Sequence, residues 1–143
     1  MIKAPIGIIV VTLAAAGFAA APALAQEGGR PLAAHLMGSP TTDPDGMGHA
    51  NFRVNVGQSQ VCYDIAVEKI APATAAHIHK GAAGASGPPV VMLKAPGADG
   101  KVKDCATADA AVVKDILQNP GDYYVNVHNA EFGGGAIRGQ LSK

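Results

Sequence analysis

His77 and His79, in the run Ala75-Ala76-His77-Ile78-His79, carry the clearest chemical signal in the chain. Successive side chains on a strand leave by opposite faces, so both imidazoles project from one face while Ile78 turns to the core. In Tyr124-Val125-Asn126-Val127-His128, Val125 and Val127 take the core positions, which sends His128 outward with Tyr124 and Asn126. Should the two strands be neighbours, three solvent-facing neutral imidazoles converge, a donor set suited to copper, zinc or nickel. A second constellation lies nearer the N-terminus. Pairing Met37 with Met47 across a hairpin sets His35 opposite His49, and two thioethers with two imidazoles suit the soft ion Cu(I). Enzyme signatures are missing: there is no G-x-S-x-G, no H-E-x-x-H, and the Gly81–Gly87 run precedes a strand rather than opening a helix. The expected role is therefore binding, with no catalytic residues assigned.

Such donors need strands to hold them, and from Pro31 onward alternation of period two dominates the sequence. Leu32, Ala34 and Leu36 alternate with Ala33, His35 and Met37, and Ala50, Phe52, Val54 and Val56 alternate with His49, Asn51, Arg53 and Asn55. The turn-forming stretch from Gly38 to Gly46 joins these two strands into a long-looped hairpin. Its Asp43-Pro44-Asp45-Gly46 lacks the downstream bidentate glutamate of a calcium loop and reads as a turn. Further strands are expected over Val61–Val67, Ala75–His79, Val90–Leu93, Tyr123–His128 and Ala136–Leu141. One helix, about residues 107–118, is predicted with Thr107 as its N-cap and Val112, Val113, Ile116 and Leu117 as its apolar stripe. The class is all-β: an antiparallel sandwich of immunoglobulin-like or Greek-key type with one short helix. Arg138, on the last strand, is expected to pair with Glu131 or Asp122.

The first residues set the compartment. Lys3 ahead of the apolar run from Ile6 to Ala21, closing in Ala23-Leu24-Ala25, reads as a signal peptide over residues 1–25, followed by one domain over residues 26–143. A periplasmic or secreted location follows, and there the two cysteines, Cys62 and Cys105, are expected to form a disulfide. The formal net charge of +0 and the lack of a basic patch argue against nucleic acid and anionic membrane as partners. No membrane span is expected after signal cleavage.

Two stretches resemble the CHRD domain family: Ala75 to Gly81 followed by Gly84 to Val91, and Tyr124 to Asn129 followed by Gly135 to Leu141. In order and spacing the similarity extends over about residues 31 to 142. It implies an immunoglobulin-like sandwich and puts His77, His79 and His128 at the family's marked positions. The chain is also loosely similar to Cu,Zn superoxide dismutase, another Greek-key sandwich with an H-x-H strand, a later histidine and a Gly/Arg-rich final strand. No long zinc loop with its own histidines and aspartate lies between His79 and His128, so dismutation is disfavoured. The resulting expectation is an exported protein that binds copper, with zinc as the other candidate, for buffering, delivery or tolerance. The rival expectation is a non-catalytic adhesion or interaction module with a protein partner in the cell envelope.

Overall fold

The computed structural model describes residues 28–143, so the expected signal peptide, residues 1–25, lies outside the described residues. Alternating apolar and polar side chains become strands β1 (Arg30–Met37), β2 (Met47–Asn55), β3 (Gln60–Glu68), β4 (Ala73–Lys80) and β5 (Pro89–Leu93). Strand β6 (Lys101–Thr107), helix α1 (Ala110–Gln118), and strands β7 (Tyr123–Asn129) and β8 (Ile137–Gln140) follow. Every neighbouring pair is antiparallel, in the order β5-β4-β7-β8-β1-β2-β3-β6. The series is bent over on itself as a near-barrel sandwich, because inward side chains from both halves share one core. Leu36, Phe52, Val61 and Ile65 from one half meet Ile78, Val91, Val125, Val127 and Ile137 from the other. The all-β expectation with one helix holds. Among the described residues, no helix is long and apolar enough to cross a membrane.

The helix start predicted at Thr107 is corrected. Thr107 ends β6, paired with Gln60 of β3, and the ladder claims its backbone groups before a helix can. Asp109 is the N-cap instead, its Oδ1 accepting the N–H groups of Ala111 at 2.8 Å and Val112 at 3.3 Å. The predicted stripe does its work, since Val113 and Ile116 are buried and Val112 and Leu117 pack partly against the core. Strand β6 escaped the sequence reading because an edge strand carrying Lys101, Lys103 and Asp104 shows little alternation, and charge on an edge discourages further pairing. It places Cys105 opposite Cys62, and the two form a disulfide across a sequence separation of 43. Closing a loop of that length stabilises the fold by about 4 kcal/mol through the unfolded chain's lost entropy.

Candidate metal centre

Strands β4 and β7 are hydrogen-bonded neighbours, and their register pairs Ala75 with His128, His77 with Asn126, and His79 with Tyr124. Ile78, fully buried between the two histidines, anchors β4 to the core and sets the direction of both imidazoles. His128 therefore lies diagonally across from His77, and His77 Nδ1 is 3.0 Å from His128 Nε2. One ring nitrogen from each of His77, His79 and His128 can be chosen so that all three lie within 4.8 Å of one another.

The sequence reading made this face solvent-exposed, and here the structure differs. All seven residues of β7 are buried, and His79 and His128 are each only 9 % exposed. Two glycine-rich loops cover the site. The carbonyl of Gly87 accepts a hydrogen bond from His79 Nδ1 at 2.9 Å, and that of Gly133 accepts one from His128 Nδ1 at 2.9 Å. Gly134 adds a third cover contact, its carbonyl accepting from Asn126 Nδ2 at 3.2 Å. Periodicity carries no information about which sheet face a loop folds over.

These partners assign the tautomers. A carbonyl only accepts, so Nδ1 carries the proton in both His79 and His128, and Nε2 of each neutral ring is a lone pair. His128 Nε2 accepts the Nδ1–H of His77. His79 Nε2 is buried with no hydrogen-bond partner among the described residues. An orphaned acceptor of this kind costs about 1–3 kcal/mol, and the ring that carries it stands 5.5 Å from the His77 ring and 6.1 Å from the His128 ring between centroids. Burial first, then the neighbouring His128 and His79, holds the His77 imidazole below its ordinary value, which keeps it neutral and able to ligate.

The ring of His79 stacks on Tyr124 at 4.9 Å between centroids and 10° between planes. Arg138 does not form the ion pair with Glu131 or Asp122 that its position predicted. Its guanidinium lies 3.5 Å from the centre of the Tyr124 ring and donates to the carbonyl of Ala85 at 3.0 Å. A planar, weakly hydrated cation gains more from an aromatic face and a fixed carbonyl than from a mobile surface carboxylate. Tyr124 and Arg138 thus brace the imidazole of His79 and the loop above it. The sequence reading placed Tyr124 on this face without assigning it that part, and the bracing by Gly87 and Gly133 had no signal beyond the density of glycine around them.

The second predicted group also comes together. His35 pairs with His49 and Met37 with Met47 in the β1–β2 register, and the two imidazole centroids are 5.1 Å apart in an edge arrangement. At Asp43 to Gly46 the chain makes the plain turn expected, with the Gly46 N–H donating to the Asp43 carbonyl at 3.1 Å.

Compared with known protein families, residues 32–141 match the family model described as the CHRD domain. No curated protein and no solved structure matches the chain.

Proposed function

The chain belongs to the CHRD domain family, and from that premise we propose that it is an exported binding protein holding a transition metal, copper above others, through His77, His79 and His128. The observation that carries the reading is the buried, unpartnered Nε2 of His79 beside two further imidazoles. Nitrogens around a tetrahedral ion with bonds of about 2.0 Å stand about 3.3 Å apart. The 3.0 Å between His77 and His128 already approaches that spacing.

To hold an ion, His77 would give up its hydrogen bond to His128 and move its ring proton from Nδ1 to Nε2, so that the Nδ1 lone pair becomes a donor and His128 Nε2 is released. His79 and His128 need no change of tautomer, because the Gly87 and Gly133 carbonyls already hold their protons on Nδ1, which leaves Nε2 bare in His79 and engaged only by His77 in His128. Among first-row divalent ions a nitrogen donor set of this kind binds Cu(II) most tightly, with Zn(II) the main competitor. Three protein nitrogens would leave such an ion able to take water or the donor of a delivery partner as a further ligand. The Cys62–Cys105 disulfide and the leader-like first residues support an oxidising compartment outside the cytoplasm, where copper is buffered, delivered or tolerated. The role is that of a carrier rather than an enzyme.

Titration of the purified protein with Cu(II), followed by electron paramagnetic resonance, tests this. The expected result is one equivalent bound with imidazole-nitrogen hyperfine structure, lost in a His77→Ala, His79→Ala, His128→Ala variant. Equal Cu(II) affinity in the two proteins overturns the assignment.

A further inference from the structure

All five histidines of the chain, and each of its four methionines except Met1, stand on the outward face of the sheet. Cross-strand partners share a face, so the register can be followed strand by strand. Met92 is opposite His77, His77 opposite Asn126, Asn126 opposite Arg138, Arg138 opposite Met37, and Met37 opposite Met47. One row of side chains therefore runs from the three-histidine centre to the β1–β2 hairpin. Each step is about 5 Å, which puts Met37 roughly 15 Å from His77. A polar groove of about 320 Å³, lined in part by Met37, Tyr124, Asn126 and Arg138, occupies the interval.

The methionines at the far end are in an unusual place for their type. Methionine ordinarily fills gaps in cores, yet here Leu, Ile, Val and Phe fill the core while Met37 is 68 % and Met47 40 % exposed. Beside them, the imidazoles of His35 and His49 touch each other and make no hydrogen bond among the described residues. Four donors stand at the corners of one cross-strand rectangle, two of them thioethers that no accessible pH protonates.

We propose that His35, Met37, Met47 and His49 form a second metal site, selective for Cu(I). Thioether sulfur is a soft donor that prefers Cu(I) to Zn(II) or Cu(II), and it supplies that preference where thiols are consumed as disulfides. The site stands on residues, strands and an oxidation state different from those of the three-histidine centre and does not depend on it. The structure gives the domain a sulfur-bearing patch on the hairpin and a nitrogen patch on β4 and β7, with a polar groove in the interval that reaches Met37 at one end and Tyr124 and Asn126 at the other.

The test is anaerobic titration with Cu(I) against a competing chelator, in the His77→Ala, His79→Ala, His128→Ala background, so that loss of the first centre leaves the outcome readable. One equivalent of Cu(I) should bind, with sulfur scattering in the X-ray absorption spectrum. Adding Met37→Leu and Met47→Leu should weaken binding at least about tenfold and remove the sulfur signal. Both methionines are exposed, so leucine leaves the fold intact, as a thermal melt will verify. His35→Ala with His49→Ala should weaken binding as well. Undiminished affinity after the methionine substitutions, or no Cu(I) binding in the starting background, overturns the proposal.

Discussion

Substituting Gly87 by alanine isolates the contribution of a backbone carbonyl to the three-histidine centre. A β-carbon at this position would stand 1.7 Å from the Lys80 carbonyl oxygen and 2.9 Å from its carbon, both backbone atoms that cannot swing aside. The loop must retreat by about 1.5 Å or more to restore ordinary contact. That retreat carries away the carbonyl that holds His79 Nδ1–H and the N–H that Gly87 donates to the Tyr124 hydroxyl at 3.3 Å. Loss of an outer partner of this kind lowers metal affinity about 10–100-fold, equivalent to about 1.4–2.8 kcal/mol. Overpacking costs the fold a further 1–3 kcal/mol, roughly, which a domain with a margin of about 5–15 kcal/mol survives. Gly84→Ala is the matched control. It sits in the same loop at φ +80 with nothing within 4 Å of its β-carbon. Its cost, about 1–2 kcal/mol, falls on the backbone conformation alone and leaves His79 untouched. Isothermal titration with Cu(II) reads affinity, and long-range ¹⁵N–¹H spectra of the metal-free protein read the His79 tautomer. The expected pattern is weakened binding and loss of the Nδ1–H tautomer for Gly87→Ala, with wild-type values of both for Gly84→Ala. Wild-type affinity and tautomer in Gly87→Ala would refute the idea that this carbonyl orients the ligand.

Two further outcomes follow from contacts in which the histidines take no part. Removing the disulfide in a Cys62→Ser, Cys105→Ser variant should lower unfolding free energy by about 4 kcal/mol in chemical denaturation, while Cu(II) affinity of the folded fraction stays at the wild-type value because β3 and β6 do not touch the centre. Asp115 ties α1 to β4 and β7. The Tyr123 hydroxyl donates to its Oδ2, Lys80 pairs with the same oxygen at 2.9 Å, and Asn119 Nδ2 donates to its Oδ1 at 2.8 Å. These partners, the Tyr123 hydroxyl foremost, hold its carboxyl well below the usual carboxylate range. A folded-state value lowered in this way contributes stability that is fully present above the unfolded value of about 3.9 and fades as pH falls from there through the folded value. Thermal melts of Asp115→Asn should therefore fall below wild type at pH 7, with the gap narrowing from about pH 4 downward. A gap that stays constant or widens in acid would contradict this.

Much of the strand arrangement was legible because one side of each early strand meets the core and the other does not. Leu32, Phe52 and Val61 declare their strands by alternation, and the single register that buries them also sets His35 against His49. The H-x-H spacing assigned His77 and His79 to one face for the same reason, since the side-chain period of a strand is two whatever its neighbours are. The disulfide was legible from cysteine count and compartment. Strand β6 was not, because at a charged edge neither face is fully buried and the pattern fades.

What the order of residues determined by itself was thus the local geometry: which side chains share a face of a given strand. Only the tertiary structure decided that β4 and β7 are neighbours, that the loops bearing Gly87 and Gly133 fold over the imidazoles, and that Arg138 lies on Tyr124 rather than on an acid. Those contacts join positions far apart in the chain, and they depend on packing and on where backbone carbonyls find donors. For that reason three histidines read as a solvated patch became a shielded, pre-oriented set with one nitrogen left unpaired.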